Sequence, residues 1–182
     1  MARDTLQSLR ILQAKKLTLI GPPLSFGQYG IREIYFGSLS YYFGVLGLML
    51  TNNSVFGPIY INIGLMIIAL YFFYKLAHQY LKNETKALIV TLMYALSPLI
   101  VSYIRFYWNP NFVLTIAPIF WYLYLSCFNS KNPNMSFIKI FLCGLLGGLL
   151  INLHYFVAPV IFLAIFYLFI KLKDKKISFL YI

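Results

Sequence analysis

Acidic residues are scarce in this chain. Of 182 residues four are Asp or Glu, against fifteen Lys and Arg, and the net charge is +11. Charged residues of all kinds make up 10% of the sequence and hydrophobic ones 61%, with a mean hydropathy of +0.78. A water-soluble domain of this length cannot cover so much apolar surface, so the composition excludes one and leaves a polytopic membrane protein. Histidine and cysteine number two each, and none has neighbours at metal-ligand spacing, so no metal site is expected. Cys127 and Cys143 lie inside or at the edge of apolar runs and read as reduced, buried thiols. There is no phosphate-binding loop, zinc motif or catalytic triad, and no cofactor is expected. Residues 1–16 lack the apolar core of a cleavable signal peptide, and a new apolar run at 177–182 breaks off early. Both ends read as cut, which suggests a piece of a longer protein.

Long apolar runs are what the chain does have. Five clear ones cover about 57–75, 87–104, 111–128, 137–153 and 156–171. Lysines collect in alternate gaps: Lys75, Lys82 and Lys86, then Lys131 and Lys139, then Lys171, Lys173, Lys175 and Lys176. The remaining gaps hold Arg105, Trp108, Asn109 and Asn111, and later Asn152, His154 and Tyr155. Positive loops stay in the cytoplasm, so the lysine gaps face inward and the others outward. These lysines sit at span ends and not on one basic face, so they are topology signals and contacts to anionic membrane lipid, with no nucleic-acid partner. Pro58, Pro98, Pro118 and Pro159 lie in or beside four spans and predict kinks. The Gly144, Gly147, Gly148 cluster predicts close helix contact.

The first 56 residues read differently. Residues 3–16 suit an amphipathic helix in the headgroup layer, with Arg3, Gln7 and Arg10 on one face and Leu6, Leu9 and Leu12 on another. Gly21, Pro22, Pro23, Gly27 and Gly30 then break regular structure. Residues 34–51 are apolar but interrupted by glycine and serine, at the lower limit for spanning. If they span, the N-terminal segment lies with the lysine loops, as Arg3, Arg10, Lys15, Lys16 and Arg32 would favour. If they lie in the interface, residues 1–56 share a side with Arg105 and His154. Composition leaves both open. The resulting division is an exterior loop over 1–56 and a transmembrane bundle over 57–182, an all-α fold.

Few residues are candidates for chemistry. Glu84 and Asp174 belong to lysine loops, which leaves Asp4 and Glu33. A carboxylate beside arginines in the interface suits a general base, while an Asp at position 4 also suits the cap of a helix over 5–16. Arg105 ends a span and offers a planar guanidinium for phosphate, or snorkels to headgroups. Trp108 offers a flat face for a sugar or headgroup, and Asn109 and Asn111 flank a proline turn with hydrogen-bonding amides. His154 is a lone histidine, a type more often structural than functional. Asn52-Asn53-Ser54 matches a weak glycosylation sequon.

Three segments in order resemble the glycosyltransferase family 39 superfamily, the multi-span transferases of lipid-linked sugars that include protein O-mannosyltransferases and lipid A aminoarabinose transferases. Arg3-Asp4, Leu6, Arg10, Ile11, Leu12 and Gly21-Pro22-Pro23 resemble its first exterior loop. Gly37-Ser38-Leu39-Ser40-Tyr41-Tyr42 is similar to its Gly-Pro-Leu-x-Tyr-Tyr, and Ala95-Leu96-Ser97-Pro98 through Arg105, Asn109, Pro110 and Asn111 to its second exterior loop. The resemblance implies that 34–51 is juxtamembrane. It implies transfer of a sugar from a polyprenyl-phosphate donor to an unidentified acceptor on the exterior face, in an integral protein of a prokaryotic plasma membrane. Asp4 is then the candidate catalytic acid, although the family's main acid falls just before Met1. Arg3, Arg32, Arg105, Trp108, Asn109, Asn111 and His154 are the candidate substrate-binding residues. The competing reading is a non-catalytic bundle: a transporter half, a scaffold, or a truncated inactive relative.

Overall fold

A computed structural model describes residues 2–23, 35–128 and 133–174. Arg32 and Glu33 lie outside the described residues. The chain runs α1 (Ala2–Ala14), β1 (Ile20–Pro23), β2 (Tyr35–Gly37), α2 (Leu39–Leu50), α3 (Gly57–Leu81), α4 (Glu84–Ala95), α5 (Pro98–Ile104), α6 (Asn111–Phe128), α7 (Pro133–Leu153), a 3-10 turn (Tyr155–Val157) and α8 (Ala158–Asp174). The fold is an all-α bundle carrying one small hairpin.

The five expected spans coincide in place with α3, the α4–α5 pair, α6, α7 and α8. By length and composition α3 and α6 reach across a bilayer, and α4 with α5 makes a third span if the bent pair counts as one. The apolar parts of α7 and α8, Phe137–Leu153 and Tyr155–Lys171, are shorter. The kink expected at Pro98 in the 87–104 span is present: α4 and α5 meet at 53°. Pro98 stands in the first turn of α5, where its missing N–H costs nothing, and Ser97 before it is extended, as a residue preceding proline prefers. Pro58 likewise opens α3. Pro118 alone of these sits inside a described helix.

The apolar segment expected at 34–51 holds one short helix. Its helix α2 has 12 residues, about 18 Å at 1.5 Å per residue, against a hydrocarbon core of about 30 Å. The glycines that weakened it as a span are where it packs. A Cβ on Gly44 would collide with Ser8 Oγ and Tyr107 Oη, and one on Gly47 with the main chain of Gly57 and Pro58. The cluster in α7 behaves differently. A Cβ on Gly147 would press on Ile161 of α8, 2.9 Å away, but at Gly144 and Gly148 it would meet nothing within 4 Å.

The breaker segment holds an unanticipated feature. β1 pairs antiparallel with β2, Ile20 opposite Gly37 and Pro23 opposite Tyr35. Gly21 is required there, since a Cβ would run into the carbonyl of Gly37. The core is built by Phe112, Ile116 and Phe120 of α6, Leu150 and Leu153 of α7 and Ile161 of α8. Many large apolar side chains elsewhere are exposed, among them Ile67, Phe141 and Phe166. In lipid that surface is solvated, and helix association rests on close packing and hydrogen bonds. The thiols of Cys127 and Cys143 are reduced and buried, and they meet across α6 and α7 with sulfurs 3.9 Å apart.

Candidate active site

Hydrogen bonds between segments sort the helix connections into two ends. One end carries Lys82 and the α3–α4 turn. The other carries the α2–α3 turn, the loop 105–110, the turn 154–157 and the N-terminal segment. α3 alone separates the ends by 25 residues, about 37 Å.

At the second end the N-terminal segment and the 105–110 loop are joined by buried hydroxyls. Ser8 Oγ donates to the carbonyl of Asp4 at 2.9 Å and meets Tyr107 Oη at 3.0 Å, and Tyr107 Oη donates to the carbonyl of Ser40 at 2.6 Å. Two hydroxyl protons serve three contacts, so one proton is shared. Ser8 and Tyr107 are buried, Tyr107 at 1% exposure. Burial pushes the Tyr107 phenol well above its usual range, so it stays a donor. Gly44 lets α1 and Tyr107 approach α2 closely enough for this clasp. Tyr42 adds a second tie, accepting from Thr18 N at 2.9 Å and donating to its carbonyl at 2.7 Å.

Arg3 and Asp4 lie beside the clasp. α1 begins at Ala2, so Asp4 belongs to its first turn and does not cap a helix starting at residue 5. The negative charge suits that turn. Asp4 is 4% exposed, and its Oδ1 accepts from Arg3 Nε at 2.9 Å. The Arg3 side chain is 57% exposed, and its hydrogen bond to Asp4 raises its pKa against the opposing effect of burial. Tyr41 is buried within the field of this pair; burial first, then the Asp4 charge, raises its phenol pKa. The Tyr-Tyr pair of the sequence motif thus faces the N-terminal segment with both rings.

The loop after α5 alternates. Arg105, Phe106 and Trp108 are exposed; Tyr107 and Asn109 are buried. Arg105 stands at the C-cap of α5, with no hydrogen bond or ion pair among the described residues. Trp108, 41% exposed, stacks loosely with Tyr103 and Phe106 at 6.4 and 6.5 Å between ring centroids. Asn109 and Asn111 do not offer their amide N–H groups to a ligand. Asn109 Nδ2 donates to the carbonyl of Leu153 at 2.8 Å, and Asn111 Nδ2 to those of Tyr103 and Phe106. Both are buried, and they hold the loop that presents Arg105. Asn62 of α3 is buried against the same segment, donating weakly to the carbonyl of Ile104 at 3.5 Å.

His154 is half-buried between Phe36 and Phe156, with ring centroids 5.1 and 5.2 Å away. Burial lowers its pKa below the usual imidazole value. It packs β2 against the turn after α7, and Asn152 of α7 ties to α2, its Oδ1 accepting from Leu39 N at 3.1 Å. The structure therefore brings Arg3, Asp4, Arg105, Trp108 and His154 to one end and makes Asn109 and Asn111 its framework. Tyr107, Ser8 and Gly44 escaped the sequence reading, which took Trp108 as the informative aromatic. The signal was the alternation Phe106, Tyr107, Trp108, Asn109, in which every second side chain turns inward. Among the described residues no three His, Cys, Asp or Glu side chains meet as a metal cluster.

An open groove of about 580 Å³ runs along α1 at this end, lined by Leu6 and Leu9, by Leu48 of α2 and by Val55 and Phe56 of the turn before α3. Neither a curated protein nor a solved structure matches the chain. A family model does, over residues 38–182, beginning at Ser38 and leaving the Arg3-Asp4 helix outside the match. On that match the chain belongs to the dolichyl-phosphate-mannose-protein mannosyltransferase family of membrane glycosyltransferases, the family its Gly37–Tyr42 and Ala95–Asn111 segments resemble.

Proposed function

We propose that this chain carries part of the site at which a sugar passes from a polyprenyl phosphate to an acceptor hydroxyl or amine, on the exterior face of a prokaryotic plasma membrane. The supporting observation is the buried Ser8–Tyr107–Ser40 clasp, which sets the Arg3-Asp4 helix against the loop of Arg105 at the end opposite Lys82. The acceptor oxygen or nitrogen attacks the anomeric carbon as the bond to the lipid phosphate breaks, and the phosphate leaves with the electron pair. A carboxylate takes the acceptor proton, and among the described residues Asp4 is the candidate at this end. Arg105 and Arg3 stabilise charge gathering on the leaving phosphate, Arg105 through a guanidinium committed to no other partner among the described residues. Trp108 packs its exposed face on the sugar. His154, with its pKa lowered, contributes an uncharged imidazole to the rim near neutral pH. The isoprenoid chain lies in the groove beside Leu6, Leu9 and Phe56.

The test is transfer of labelled sugar from a polyprenyl-phosphate donor by the intact protein and by Arg105→Ala. The variant is expected to insert normally and to lose activity; full activity would remove Arg105 from the site. A second reading has one observation in its favour. Asp4 is nearly inaccessible and already bonded to Arg3, as in a structural ion pair. In a non-catalytic bundle Asp4→Asn would reduce stability with no transfer to lose.

A further inference from the structure

The opposite end carries a groove of its own, of about 420 Å³ and almost wholly apolar. It lies between the last turns of α3 and the facing parts of α4 and α6, lined by Phe73, Leu76 and Tyr80, by Val90, and by Trp121 and Leu125. The lining is regular. Positions 73, 76, 77, 80 and 81 form one stripe of α3, and 121, 124 and 125 one stripe of α6, each at i, i+3, i+4 spacing. Among the described residues nothing covers it, and Tyr80 is 78% exposed.

The basic residues sit at its lower edge. Lys82 follows Leu81, the last lining residue of α3, and caps that helix in a left-handed conformation at φ 49°. Lys86 lies one turn before Val90 on the same face of α4. Both lysines are exposed, and Glu84 between them is the one acid of this turn. An apolar furrow running up into the hydrocarbon layer, with two cations where it meets the headgroups, matches a lipid in both parts. The stripe from Leu81 to Phe73 rises about 12 Å along the helix, enough to seat much of one acyl chain.

We propose that this groove binds one acyl chain of an anionic phospholipid, whose headgroup lies on Lys82 and Lys86. It is a lipid site at the lysine end, remote from the sugar-transfer site and independent of it. Two lysines at the headgroup, partly offset by Glu84, correspond to about a tenfold preference for an anionic over a zwitterionic lipid.

Trp121 supplies the readout, because a brominated acyl chain quenches tryptophan only on contact. The protein with Trp108→Phe is reconstituted with brominated phosphatidylglycerol or brominated phosphatidylcholine. The glycerol lipid is expected to quench Trp121 at about one tenth the mole fraction. Lys82→Gln with Lys86→Gln, both at exposed positions, should erase the difference while quenching persists. Val90→Phe fills the groove and should lower quenching by both lipids. Equal quenching by the two lipids in the unmodified groove would overturn the proposal, because contact would then be ordinary bulk lipid. Quenching by neither would overturn it too, because another polypeptide segment would then fill the furrow. Undiminished anionic preference in Val90→Phe would reduce the lysines to surface attraction and also overturn it.

Discussion

The two ends of this bundle use polar residues in opposite ways. At the lysine end the charges are exposed and serve one another little: Lys82, Glu84 and Lys86 point to solvent around a simple asparagine cap, Asn83 Oδ1 accepting from Lys86 N at 2.9 Å. At the other end polar groups are buried and many are bonded, although Ser40 Oγ, Asn62 Oδ1 and Asn111 Oδ1 have no hydrogen-bond partner among the described residues. Ser8, Tyr107, Asn109 and Asn111 tie four chain segments together, and each contact reaches a backbone carbonyl or a hydroxyl. A helical hairpin in lipid needs no such network, since each helix satisfies its own backbone. Irregular backbone near the membrane does need one, and the loop 105–110, which leaves Arg105 exposed, is irregular. The comparison teaches that one end is built for topology and the other for geometry.

The comparison predicts a gradient of mutational cost. The largest effect is on activity: Arg105→Ala should reduce transfer by about 10²-fold or more, as removal of one charge-stabilising donor does, with expression and insertion unchanged. Activity within tenfold of the parent would break the contrast. Next comes the clasp. Tyr107→Phe removes the hydroxyl bonded to the Ser40 carbonyl and leaves Ser8 Oγ its bond to the Asp4 carbonyl alone, at a cost of about 1–3 kcal/mol, and should loosen α1. The expected result is faster proteolysis between α1 and α2 together with lower transfer. Gly44→Val should do the same by collision, at a similar cost of about 1–3 kcal/mol.

His154 should give a smaller, pH-dependent effect. Its folded-state pKa is lowered by burial, so its contribution to stability is present above the unfolded value and is lost as pH falls through the folded one. Thermal stability in detergent should therefore drop on acidification in the parent, and less in His154→Phe, which keeps the ring packing against Phe36. The smallest effect belongs away from the rim. Gly148→Ala meets nothing within 4 Å and should be neutral or stabilising by about 0.5–1 kcal/mol. Gly147→Leu, against Ile161, should destabilise.

The positions of the apolar helices were legible because apolar runs are one-dimensional signals. The contents of the rim were not. Asn109 and Asn111 stand in a polar turn, and sequence alone does not tell an amide aimed at a ligand from one aimed at the carbonyl of Leu153, forty-four positions away. Gly44 and Gly47 looked like defects in a span, because a glycine's role depends on the atoms facing it. Here those belong to Ser8, Tyr107, Gly57 and Pro58. The β1–β2 pairing was hidden by Gly-Pro-Pro, which reads as a breaker unless its partner strand is known. Asp4 was placed on the correct helix but one turn too early for its role, since the helix starts at Ala2.

The central claim is that the N-terminal helix and the Arg105 loop share one face of the membrane and Lys82 the other. Single cysteines at Arg10, Trp108 and Lys82, in a background where Cys127 and Cys143 are serine, can be labelled in intact cells with an impermeant maleimide. Positions 10 and 108 should react from outside and position 82 only after permeabilisation; positions 10 and 82 reacting together, apart from 108, would contradict the account.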